Sequence, residues 1–168
     1  MLETLTSFLD YWTKARERTT RILDRIPNDD LEWREAPDRF SFGDLFRHLA
    51  AAERYMWAET VSGRPSSYPG HDLSLAKGKV GVHAFMTQCH DESMVLFRAL
   101  SDEQLLAKCS TPGGANLTTY KWLRAMTEHE AHHRGQLYTM AAMLDIALPP
   151  LFGLTEAEVK ARSTSPPQ

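Results

Sequence analysis

The residues with the clearest chemical potential are Thr127-Glu128-His129-Glu130-Ala131-His132-His133-Arg134-Gly135-Gln136, a run that reads as the inside of a long helix. His129 and His133 stand four positions apart, so on an α-helix they project from one face, about one turn from each other. Two imidazoles placed like this can share one metal ion. The same run matches HExxH, in which two histidines bind zinc and the glutamate acts as general base in peptide hydrolysis. With Trp122, Met126, Leu137 and Met140, the two histidines fall within about 80° on a helical wheel, in the middle of an apolar stripe. A buried polar group without a partner costs on the order of 1 to 3 kcal/mol, and charging a buried imidazole costs more. Two arrangements avoid that cost. The rings are core histidines bonded to neighbouring helices, or they ligate a metal, for which neutral imidazole suits zinc, nickel, copper or iron.

A metal site needs a third ligand facing the same interior. His48 is the natural candidate, at the edge of an apolar helix face, with Asp44 one turn earlier able to orient its far nitrogen. His71, in a loop, and His132, turned about 60° from His129 on the wheel, are weaker candidates. The protease reading has less context. No HxxGxxH extension follows, and Glu156, the conceivable downstream ligand, lies beyond Pro149-Pro150. Gly135 costs about 1 kcal/mol relative to alanine inside a helix, which close approach of another backbone or subunit would explain.

Four amphipathic runs position these residues. The first covers residues 2 to about 25 and carries Leu5, Phe8, Leu9, Trp12, Thr19, Leu23 and Ile26 near helical spacing, with Arg16 inside the stripe and in need of a carboxylate or a route to solvent. The second starts at Ser41, a cap with Asp44 at the third helical position and Phe40 as a hydrophobic staple on Leu45, and ends near Ser62-Gly63. The third runs from about Lys79 to Leu100 on Val82, Phe85, Met86, Cys89, Ser93, Leu96, Phe97 and Leu100, with His83 and His90 at its solvated or boundary side. The fourth starts at Thr118 or Thr119 and continues to about Ile146, where Pro149-Pro150 stops it. Residues 27 to 40 and 101 to 117 read as long connections, the first with Trp33 packing onto the bundle. No alternating stretch is long enough to predict a strand. A short helix can start at Thr155, and Ser163 to Gln168 reads as a frayed tail. The expectation is an all-α four-helix bundle in one domain over residues 1–168.

The totals narrow the function classes. The 168 residues carry a net charge of −3, with scattered basic residues, which gives no electrostatic case for nucleic acid or an anionic membrane. No apolar run approaches the roughly 20 residues of a bilayer span, and the N-terminus lacks a signal-peptide pattern, so the expected location is the cytoplasm. Cys89 and Cys109 are the only cysteines. Cys89 falls on an apolar helix face and Cys109 in a loop reachable by solvent, and neither has a CxxC partner.

With His48 in Phe46-Arg47-His48-Leu49, the run His129-Glu-Ala-His-His133-Arg-Gly-Gln136, and the segment Leu148-Pro149-Pro150-Leu151-Phe152-Gly153-Leu154, the sequence resembles the DinB/YfiT-like metal-binding four-helix bundles over nearly its whole length. The resemblance implies that His48, His129 and His133 hold one divalent metal ion (zinc, nickel or iron) and that the protein is a homodimer. It also implies chemistry of the kind found in members that use low-molecular-weight thiols for transfer or isomerisation.

Three neutral histidines leave an open coordination position, as in a catalytic site. The leading expectation is a metal-dependent enzyme that activates a small thiol for attack on an electrophile, with Asp44, Glu130, Glu128 or Gln136 as supporting groups. Metal-hydroxide hydrolysis of a small substrate is the second expectation. A non-catalytic stress protein that binds metal or a small ligand is the third.

Overall fold

A computed structural model describes residues 4–164. The element order is α1 (Leu5–Leu23), a 3-10 turn (Asn28–Asp30), α2 (Phe42–Ala52), a π-helical turn (Glu53–Trp57), α3 (Ala58–Val61), α4 (Gly78–Arg98), α5 (Asp102–Leu106), β1 (Lys108–Ser110), β2 (Asn116–Thr118), α6 (Thr119–Met143) and α7 (Glu156–Thr164). The fold is all-α in its main elements, a bundle of α1, the α2–π–α3 unit, α4 and α6.

The helix starts follow local chemistry. Thr4 caps α1 in a reciprocal box with Ser7, and Ser41 caps α2 in one with Asp44. The start of α4 is capped from a distance, since the Lys79 amide donates to Asn28 Oδ1 (3.0 Å) in the connection after α1. Beyond Met143 the chain turns at Asp145, whose φ of 55° breaks the helix before Ile146.

The core is divided. Phe8, Trp12, Trp57, Phe97, Leu123 and Met126 belong to one apolar cluster, and Ile22, Phe42, Phe46, Val82, Met86 and Leu137 to another. Each such side chain contributes roughly 1.5–3 kcal/mol by burial. Following the clusters along each helix gives the topology: α1 and α6 run from the first to the second, while α2 and α4 run the other way. Two consecutive helices pointing in the same direction need a long crossover, which residues 62–77 supply. Between the clusters lies a charged layer. Arg16 from α1 pairs with Glu53 (2.5 Å) and Glu130 (3.2 Å). Glu53 also accepts from Trp12 (2.7 Å) and contacts His90 Nδ1 (2.9 Å). The carboxylate that Arg16 required is thus doubly present.

Four expectations need correction. Residues 101–117 are not a plain connection: they hold α5 and a two-stranded antiparallel hairpin, paired Lys108↔Thr118, Cys109↔Leu117 and Ser110↔Asn116. Strands of three residues are too short to leave an alternating signal, and their turn is closed by Thr111 with Gly114 at φ 82°. Cys109 is buried at the edge of the first cluster because the hairpin folds it inward. Ser163 and Thr164 complete α7 instead of fraying, while residues 165–168 of the expected tail lie outside the described residues, as do residues 2 and 3 of the expected first helix. Among the described residues nothing comes within 4 Å of where a Cβ on Gly135 would sit beyond its own helix turn, so the close approach expected there does not come from another backbone of this chain.

Candidate metal centre

His48 on α2 and His129 and His133 on α6 meet across the bundle. One ring nitrogen from each lies within 4.8 Å of those of the other two. His129 Nε2 sits 2.9 Å from His48 Nε2 and 3.0 Å from His133 Nε2. Arg47, next to His48, fixes this part of α2. Its buried guanidinium donates to Glu32 (2.8 Å) and Asp44 (2.8 Å) and, through Nε, to the carbonyl of His71 (2.8 Å). One arginine therefore ties the connection before α2 and the crossover at residues 62–77 to the helix that carries His48. Gly43 makes room for it: an added Cβ would lie 2.6 Å from Glu32 Oε1 and 2.9 Å from Arg47 Nη1.

The far nitrogens are held as well. His133 Nδ1 lies 2.6 Å from Gln136 Oε1. A carbonyl oxygen only accepts, so Nδ1 carries the proton and the Nε2 lone pair of His133 points into the cluster. His48 Nδ1 lies 2.6 Å from the Tyr68 hydroxyl. With His133 accepting, a proton on His129 Nε2 would have to serve both neighbours at once, and a proton on His48 Nε2 would instead leave the lone pairs of His129 and His133 facing each other. A cation in place of either proton gives each nitrogen a partner. Nitrogens bound tetrahedrally at about 2.0–2.1 Å from one ion stand roughly 3.3 Å apart, so the two pairs that share His129 need only a few tenths of an ångström of opening, while the third pair lies within 4.8 Å. The donor set fits a divalent ion.

Burial, reinforced by the other rings, pushes the His48 imidazolium down to about 4 and that of His129 to about 3. His133 is lowered too, again mainly by burial. All three rings are held neutral, the form that binds metal. Among the described residues no carboxylate hydrogen-bonds to any of them. Aromatic groups enclose the cluster: Phe40 stacks on His48 at 5.6 Å between ring centres, and Trp57 lies 4.9 Å from His129.

The supporting residues sort differently from expectation. Gln136 does contact the His133 ring. Asp44 does not reach His48, because Arg47, Arg34 and the Ser41 cap engage it, and Tyr68 takes the place at His48 Nδ1. Glu130 faces away from the histidines. It is buried against Thr19 (2.5 Å) and Arg16 (3.2 Å), and burial raises its carboxyl. It cannot act as the general base of an HExxH site. Glu128 is exposed and pairs with Arg124 (3.2 Å). His71 and His132 border the cluster without joining it, at 6.2 Å from His48 and 4.9 Å from His133 between ring centres. Sequence reasoning missed Tyr68 and Trp57. Tyr68 sits in a breaker-rich loop with no helical period to orient it, and Trp57 is placed by a π-turn.

Comparison with known proteins agrees with this fold. A DinB-like protein from Bacillus cereus has the same fold with a TM-score of 0.74 and 19% identity, covering 89% of this chain and 99% of that one. A DinB-like protein from Bacillus subtilis gives 0.70 and 18%, covering 86% and 96%. An uncharacterised Escherichia coli protein gives 0.59 and 17%, covering 87% and 97%. No curated protein matches the sequence. The DinB superfamily profile matches residues 11–137, a span that takes in all three histidines and most of the bundle that brings them together. The chain belongs to the DinB superfamily.

Proposed function

We propose that His48, His129 and His133 hold one divalent ion and that the site activates a small thiol for transfer to an electrophile. The observation that carries the reading is the convergence of three neutral imidazoles with His133 fixed by Gln136 as a lone-pair donor. Bound there, the ion would supply a Lewis acid that lowers the pKa of a coordinated thiol. The chain's own part is to hold the three rings neutral, orient two of them through Tyr68 and Gln136, and wall the site with Phe40 and Trp57. Histidine ligands alone leave zinc, nickel and iron equally suited. Among the described residues no carboxylate bonds to the rings, which favours this reading over hydrolysis, since hydrolysis calls for a base to manage the attacking water.

The test is elemental analysis of the purified protein beside His48→Ala, followed by cobalt loading and titration with 2-mercaptoethanol. The reading expects one metal per chain, its loss in the variant, and a cobalt–thiolate absorption that saturates. Metal without any thiol response supports a binding protein instead, and no metal at all overturns the site. We also infer a homodimer acting in the cytoplasm. The exposed large apolar side chains Tyr11, Met143 and Phe152 support self-association, and light scattering on the eluting protein checks it. No helix among the described residues is long and apolar enough to cross a membrane.

A further inference from the structure

Gly135 is left unexplained by the site itself. It lies inside α6, where glycine costs about 1 kcal/mol relative to alanine. Neither backbone nor packing demands it: its φ is not positive, and an added Cβ would meet no atom within 4 Å. What the missing side chain leaves is space, and that space belongs to a groove of about 840 Å³. Phe40, His71, His132 and Gln136 line the groove at its inner wall. Phe40 also stacks on His48, and Gln136 also holds His133, so both are shared between groove and histidine cluster.

The outer wall is charged in both senses. Arg34, Glu35, Asp38 and Arg39 of the connection before α2 line it. Arg34 is engaged by Asp44 at 3.2 Å, whereas Arg39 and Glu35 meet only at 3.9 Å and are largely exposed. Asp38 has no ion-pair partner among the described residues. A polyanion would face Glu35 and Asp38, and a hydrocarbon would strip water from groups it cannot satisfy. A body with one positive and one negative group can meet both.

We infer that the groove is the subsite for the body of the substrate, that Gly135 is small to leave it room, and that the body is zwitterionic, carrying an ammonium and a carboxylate as an amino acid does. This rests on the reading of the histidines as the reactive centre beside the groove. Gly135 and Arg39 are then specificity-determining residues that act on the substrate's body and leave the metal ligands alone.

The experiment follows the amide signals of Gly135 and Gln136 in nitrogen-15-labelled, metal-free protein titrated with L-serine, ethanolamine or propionate. The inference expects saturable shifts with serine and a dissociation constant at least about tenfold lower than for either singly charged probe. Gly135→Leu, a change to a good helix former at an exposed site, should abolish the Gln136 response, and Arg39→Ala should weaken it several-fold. No saturation, equal response to the three probes, or a response that survives Gly135→Leu overturns it. The readout needs neither metal nor thiol. A serine response beside a failed cobalt–thiolate titration keeps the groove and sinks the thiol reading. The opposite pair of results sinks the groove alone.

Discussion

Replacing Gln136 by leucine should weaken metal binding while barely touching the metal-free fold. Gln136 is exposed, so its removal leaves no buried void; what it loses is one bond to His133 Nδ1 at 2.6 Å. Such a bond contributes about 0.5–1.5 kcal/mol net to folding. Its effect on the metal is larger because it fixes the tautomer. Without the acceptor, His133 is free to carry its proton on Nε2, where the lone pair must be. Loss of an outer partner of a ligand histidine costs roughly 10–100-fold in metal affinity, or about 1.4–2.7 kcal/mol. Competition with a chromophoric chelator reads the affinity, and thermal unfolding with and without zinc reads the linked stability. The variant should keep the metal-free melting temperature within a few degrees and lose much of the zinc-induced rise. Gln136→Glu should bind at least as tightly as the parent, since a carboxylate accepts the same proton more strongly. A change in affinity below threefold for the leucine variant would refute the tautomer argument. So would an equal drop in melting temperature with and without metal.

Acid should destabilise the metal-free protein in a defined window. The folded His48 sits at about 4, below the ordinary 6.5, so between those values the unfolded chain binds more protons and stability falls as pH falls. The loss is complete below about pH 4 and on the order of 3 kcal/mol for this ring alone; urea midpoints at pH 7, 5.5 and 4.5 measure it, and a flat profile contradicts the burial of the rings. Glu130→Gln should lower stability by roughly 3 kcal/mol, because it leaves part of a buried arginine's charge uncompensated, yet leave zinc affinity within threefold. Abolished turnover in a fully folded, metal-loaded Glu130→Gln protein would restore the glutamate to a catalytic role.

How far the sequence could be read depended on how local each signal was. His129 and His133 were legible because one helix sets both, and the apolar period around them places that face in the core. His48 was reachable through the Ser41 cap, which fixes where α2 begins and hence which way residue 48 turns. Asp44 failed as its partner for a reason no helical wheel contains. Arg47 folds back over its own helix to meet Glu32, and Asp44 goes with it. Glu130 looked like a general base only so long as the identity of its neighbours was unknown; Arg16, more than a hundred residues away, decides its orientation. Tyr68, Asn28 and the hairpin all depend on contacts between loops, where composition marks a turn but not its destination.

The π-helical turn at Glu53–Trp57 gives one helix two faces of work. A turn with hydrogen bonds reaching one residue further inserts an extra position, and everything after it is phased differently from everything before. Upstream, the phase is set by the Ser41 cap and aims His48 at His129 and His133. Downstream, the phase places Trp57 against His129 and Trp122, with Thr60 accepting from the Trp122 indole at 2.8 Å. The turn works as a coupling between two shafts: the two halves share an axis, yet each keeps its own angular setting. Substitutions that repack the tryptophan end can therefore be absorbed there without rotating His48, which leaves the aromatic wall of the cluster free to diverge while its histidines stay aligned.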